Sequence, residues 1–194
     1  MFALNPPPPY KRFTMVKYTH EKTITAKILS SYLFGLVAFS LHIVVALGLP
    51  LMVFGTDGWN LPLQIWNTII PYPFTFLQAT FINLAVIYMV LLAIIGITLL
   101  LSAKMKSPYL VLMIIVPLLI IPLLLTPNGT TGLYNMIAFL LPYRATTPEI
   151  GRFVSYALGG LVIDVHVMRA IIYVVLTILT IPFAWLGFKN HQVS

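Results

Sequence analysis

Four long stretches of this chain carry apolar residues all round the helical wheel rather than on one face. A helix that is hydrophobic all round belongs in a deep core or in hydrocarbon. About 20 such residues cross a bilayer. The pattern predicts spans over 28–54, 76–103, 109–125 and 170–188. The first runs into the turn signal Gly55-Thr56-Asp57-Gly58, the second stops at Lys104 and Lys106, and the fourth at Lys189-Asn190-His191. Pro117 and Pro122 lie inside the third. Proline is tolerated in a span where neighbours satisfy the freed carbonyls, so kinks are expected there. The expected fold class is all-α: a polytopic transmembrane helical protein with about four spans.

The connectors differ in kind. Residues 55–75 hold Trp59, Trp66, Pro71, Tyr72 and Pro73, aromatic residues that favour the headgroup region. Residues 102–108 form a tight basic turn. The long connector 126–169 contains two apolar stretches too short to span, 133–141 and 153–163. Each reads as a re-entrant or interfacial helix, together making an outer hairpin, with Gly159-Gly160 as a break in the second. Residues 1–27 read as a tail with a proline tract, Pro6 to Pro9, and a basic juxtamembrane helix; residues 190–194 form a second tail. The opening residues lack the apolar core of a secretory signal.

Composition sharpens this picture. Hydrophobic residues make up 60% of the chain and charged residues only 8%, against about 25% charged in a soluble domain. So few charges cannot wet the surface of a water-soluble globule. There are no cysteines, which excludes disulfides, thiol nucleophiles and cysteine-held metal. The net charge is +7, with eleven basic residues placed unevenly. Lys11, Arg12, Lys17, Lys22, Lys27, Lys104, Lys106 and Lys189 fall on one set of loops, and Arg144, Arg152 and Arg169 on the other. The positive-inside bias then puts both termini and the Lys104–Lys106 turn in the cytoplasm, at the cell membrane. Charge placed this way orients a membrane protein, and no nucleic-acid partner is expected.

No glycine-rich phosphate loop, HExxH or GxSxG occurs, and the acids Glu21, Asp57, Glu149 and Asp164 are scattered. No catalytic residue, cofactor or metal site is expected. His42 is ionisable and deep inside a span, which makes it a functional candidate; the plainer reading is a neutral imidazole bonded to a carbonyl or to Ser40. Asp164, His166 and Arg169 sit at the mouth of the last span, either as a charged helix entrance, with Asp164 or His166 beside Arg169, or as a substrate contact. Arg144, Glu149 and Arg152 read as a solvated loop with snorkelling side chains or as an outer gate. Lys17, Glu21, Lys22 and Lys27 suit a helix that lies on anionic membrane lipid or docks a cytoplasmic partner.

Several local motifs, in order, resemble a type-2 ABC-transporter permease of the bacterial drug and antibiotic exporter kind. EKTITAK at 21–27, leading into a span, is similar to the cytoplasmic segment before such a permease's third helix. LPLQ at 61–64 resembles the loop that follows. Leu101-Ser102-Ala103-Lys104 with Lys106-Ser107-Pro108 resembles the next helical hairpin. Leu140-Leu141-Pro142-Tyr143-Arg144 with Gly159-Gly160 resembles the outer re-entrant hairpin, and Phe188-Lys189-Asn190-His191-Gln192-Val193 the basic tail. The resemblance covers about residues 17–193. It implies a non-enzymatic permease subunit, a partner ATP-binding subunit docked near Lys17, Glu21, Lys22 and Lys27, and a homodimer or a second permease chain. It also implies six spans, of which the first two have no counterpart here, so a shortened or split permease is expected. The alternative is a non-transporting accessory, immunity or sensor protein that binds a peptide or lipid.

Overall fold

The computed structural model describes residues 9–65, 70, 72–105, 107–146 and 153–191, with the side chains of 9–20 and 191 excepted. Among them the chain is nearly all α-helical, with three helices long and apolar enough to cross a membrane. Helix α1 (Pro9–Phe54) runs 46 residues without a break, about 69 Å at 1.5 Å per residue. The juxtamembrane segment is therefore not a separate helix but the base of the first span. The hydroxyls near its base bond back into the helix, with Ser31 Oγ donating to Lys27 O and Thr25 Oγ1 to Glu21 O. It stops at Gly55, whose φ of 74° lets its N–H close on Leu51 O.

Helix α2 (Phe76–Lys104) starts with a reciprocal cap between Thr75 and Gln78. Helix α3 (Pro108–Leu124) has Pro108 in its first turn, where the missing N–H costs nothing. It stays helical through Pro117 and Pro122 but is 17 residues long, about 25 Å. Two short helices follow, α4 (Leu133–Leu140) and α5 (Pro142–Thr146), and the last helix is α6 (Val165–His191).

The stretch 153–163 is a correction. It is not a half-length helix but an antiparallel hairpin of β1 (Ser155–Leu158) and β2 (Leu161–Asp164). Gly159 and Gly160 carry φ of 54° and 91° and form its two-residue turn. A two-residue turn with two positive φ values matches the twist of paired strands, and glycine adopts it without strain. The Gly-Gly pair that reads as a helix breaker is thus the reason for the sheet. The outer hairpin is one helical arm, α4, and one β arm.

Helices α2 and α6 form the centre. Val86, Val90 and Ala93 of α2 pack on Tyr173 of α6, with Ala145 of α5 fully buried against them. Farther along, Leu99 and Ala103 meet Ala184 and Phe188, joined by Ile24 and Ile28 of α1. Small residues set the close approach, as expected where lipid supplies no hydrophobic drive between helices. A Cβ at Gly96 would lie 2.7 Å from Tyr32 Oη of α1 and nearer still to Thr180 Oγ1 of α6. The base of the α1 span, the end of α2 and the end of α6 therefore meet at one end of the bundle, with Lys22, Lys27, Lys104 and Lys189. The connector segments that hold Tyr72, α4, α5 and the β hairpin collect at the other end. The most apolar stretch of α1 has no residue buried within this chain.

Substitution at Gly96 tests this packing. Gly→Ala inside a helix ordinarily gains about 0.5–1 kcal/mol, but overpacking costs about 1–3 kcal/mol. Crowding should win at Gly96. Gly96→Ala is expected to lower stability by about 1–2 kcal/mol in thermal unfolding in detergent. Gly48→Ala, with nothing within 4 Å, should be neutral or slightly stabilising.

Candidate functional site

The connector end holds the only buried charged side chain among the described residues. Arg169 of α6 is 1% exposed, and its Nε donates to Phe139 O at 3.0 Å. One turn on, Tyr173 Oη donates to Leu140 O at 2.6 Å, and from β1 Tyr156 Oη donates to Met136 O at 2.8 Å. Phe139 and Leu140 belong to the last turn of α4, whose carbonyls have no partner inside the helix, and Met136 lies one turn earlier. A cation at a helix C-terminus also complements its partial negative charge. Arg169 and Tyr173, spaced i, i+4, face the same way and clamp one short helix onto α6.

Asp164 plays the matching role at the start of α6. Its Oδ1 accepts the His166 backbone N–H at 2.7 Å, the bond of a helix N-cap, and its Oδ2 accepts the Tyr72 hydroxyl. Val165 N–H closes on Val154 O at 3.0 Å, tying the β hairpin to the helix. Asp164 and Arg169 do not form the direct pair considered for them: Arg169 Nε goes to α4, and Asp164 goes to Tyr72 and the helix start; His166 and Arg169 lie three residues apart on α6. Asp164 thus caps the first turn of α6.

Tyr72 joins the 55–75 connector to this cluster. Its ring stacks on Phe74 at 5.4 Å, meets Phe153 at 6.3 Å and has the His166 ring edge-on at 5.6 Å. Burial, then the bond and charge of Asp164, push its hydroxyl well above the ordinary phenol range, partly offset by Arg169. Burial likewise raises the Tyr156 hydroxyl. Beneath Tyr72 lies a cavity of about 480 Å³ between α2 and α6. Its walls are apolar, and Tyr72, Asp164 and His166 line it on the polar side.

The other candidates stand elsewhere. His42 is exposed on α1, 6.4 Å from the Phe39 ring. Ser40 does not serve it: Ser40 Oγ shares a 2.7 Å hydrogen bond with Tyr88 Oη of α2. Arg144 is half-buried on α5 rather than in a solvated loop, with its guanidinium 5.7 Å from the Tyr143 ring. Glu149, Arg152 and Lys106 lie outside the described residues, as does the side chain of Lys17. Glu21 pairs with Lys189 of α6 at 3.0 Å, Lys27 sits 4.2 Å over the Phe188 ring, and Lys22 is exposed. No group of three metal-ligating side chains occurs among the described residues.

The sequence reading missed the tyrosines. Tyr173 had a signal, four residues after Arg169 on one helix face. Tyr72 stood out only as an interfacial aromatic, and Tyr156 had no signal because its strand was read as helix.

Removing the Arg169 clamp should be costly. Arg169→Leu is expected to lose about 1–3 kcal/mol in thermal unfolding, because a buried carbonyl loses its donor. Asp164→Asn should lose less than about 1 kcal/mol, since Asn caps helices as well as Asp. The raised Tyr72 phenol sets a pH dependence. Above about pH 10 the unfolded chain ionises this group first, so its contribution is present below that pH and lost above it. Tyr72→Phe should therefore flatten the alkaline fall in melting temperature.

Comparison with family models, with curated proteins and with solved structures gave no match, so the exporter-permease resemblance is carried by its motifs alone.

Proposed function

We propose that this chain is the membrane-spanning permease subunit of an ABC-type transporter in the cell membrane. A separate subunit would bind and hydrolyse ATP, and a second permease chain or a second copy would complete the path. The observation that carries this reading is the unbroken α1. Its residues 9–27 extend the span by about 28 Å beyond the apolar stretch. A rod of that length can transmit a push at its tip to the membrane helix without a hinge. Its base is tied to α6 through Glu21–Lys189 and through Lys27 over Phe188. Motion imposed on the rod by a docked ATPase would thus reach α6 and the cluster at its far end, a rigid-body coupling of the kind that drives alternating states.

In this reading both termini are cytoplasmic. The basic ends gathered at one end of the bundle support it through the positive-inside bias. Helix α3 is then the fourth span, at the short limit of about 17–25 residues, which local thinning of the bilayer accommodates. The alternative, a non-transporting accessory that binds a peptide or lipid, has the connector-end cavity in its favour.

Two measurements check the reading. Crosslinking at residues 17–27 in membranes followed by purification should recover an ATP-hydrolysing subunit; recovery of none ends it. Terminal tags should both be protected in intact cells and reached only after permeabilisation; tags on opposite faces overturn the even number of spans. Glu21→Gln removes a half-exposed ion pair worth under about 1 kcal/mol. It should leave the melting temperature nearly unchanged while lowering transport coupled to ATP hydrolysis.

A further inference from the structure

The cavity between α2 and α6 has two chemically distinct parts. Ile82, Ala85, Val86 and Met89 of α2 line one part with hydrocarbon. They sit about 9–20 Å along α2 from its start, at the depth of one leaflet's chains if α2 spans the bilayer. The other part is a collar at the connector end, made by Tyr72, Phe74, His166 and the Asp164 carboxylate. The whole cavity, at about 480 Å³, falls within the range of small-molecule sites, about 300–1,000 Å³.

The collar selects a charge type. Tyr72 and Phe74 stack nearly parallel, 4° apart, with the edge of His166 against Tyr72. Aromatic faces beside a carboxylate are the chemistry that recognises organic ammonium groups. Asp164 is held in place by its cap bond and by the Tyr72 hydroxyl, and a carboxylate bonded twice still has lone pairs for a third partner. Arg169 is drawn under α4 by its bond to Phe139 and is not part of the lining. Asp164 is therefore the charged side chain on the cavity wall, with the Arg169 charge behind it partly offsetting it at Tyr72 and His166.

We propose that this cavity binds a single-chain amphiphile with an organic ammonium head, the chain along α2 and the head in the aromatic collar beside Asp164. The site stands whether or not the chain works with an ATPase, since it needs only α2, α6 and the Tyr72 connector.

The test uses the full chain in lipid nanodiscs at pH 8, where an ordinary imidazole is neutral. The probe is an alkyltrimethylammonium with a photoactivatable group in its chain, and crosslinked peptides are mapped by mass spectrometry. Labelling is expected on α2 within 82–89 and on α6 within 167–170. Dodecyltrimethylammonium should compete, and dodecyl maltoside and dodecyl sulfate should compete at least tenfold less well. Ala85→Trp should abolish labelling by filling the cavity; Val167→Trp is the second blocking variant should Ala85→Trp fold poorly. Asp164→Asn, which keeps the helix cap, should weaken competition about tenfold. Three results overturn the proposal: equal competition by the neutral and anionic amphiphiles, undiminished labelling in both tryptophan variants, or labelling spread evenly over the exposed faces of α1 and α3. Failure to recover an ATPase would overturn the transport reading and leave this one intact.

Discussion

A helix in hydrocarbon hides every amide except those at its ends, and this chain collects most of its helix ends in one place. At the connector end α4 and α5 terminate, α6 begins and a two-stranded hairpin turns, all beside apolar spans. Each unsatisfied backbone group there would cost several kcal/mol in hydrocarbon. Arg169, Tyr173 and Tyr156 bond to carbonyls of α4, Asp164 accepts the His166 amide of α6, and Val154 O accepts that of Val165. Two side chains of α6, with one from β1 and one from the end of β2, therefore hold these helix ends. This explains why the chain buries an arginine that its own lipid surroundings disfavour.

The same economy divides the helices into two classes. Helices α2 and α6 pack through Gly96, Ala93, Ala103 and Gly187, where a Cβ at either glycine meets a neighbour below 3 Å. Contacts that close have two arrangements, packed or apart, and not a continuum. Helices α1 and α3 instead present long rows of exposed Leu, Ile, Val and Phe. Lipid chains match those rows as well as protein does, so the two helices are held by few points, among them the Ser40–Tyr88 bond and the ion pair at Glu21. An arrangement of a tight pair and loosely attached rods suits a molecule that changes shape by moving rods.

In the proposed transport reading, the two ends of α6 acquire complementary roles. Its lysine end is tied to the long α1 rod, and its connector end carries the cap, the aromatic collar and the cavity. A small shift of α6 along α2 would alter Asp164 and Tyr72 together, because they share one hydrogen bond across two segments. The cavity's exposure to its ligand would then follow the state of the rod.

Much of the architecture was legible in residues alone. Uninterrupted apolar runs placed α2 and α3 to within one residue, α6 to within five and the end of α1, because lipid imposes one rule on every position of a span and the rule is local; the start of α1 lies well before its apolar run, since a helix can continue into water. Lysines grouped the helix ends correctly for the same reason. The β hairpin was not legible: Val154 to Ile163 is as apolar as a helix, and only its pairing partner decides between the two periods. Asp164 and Arg169 were recognisable as special, since charge at the rim of a span is rare. Their partners were not, because a carbonyl of Phe139 and a phenol at Tyr72 lie 30 and 92 residues away in the chain. Sequence thus determined which segments leave water and how they are oriented relative to one another. Tertiary structure decided which polar groups meet, since a hydrogen bond depends on a separation of about 3 Å that no local pattern encodes.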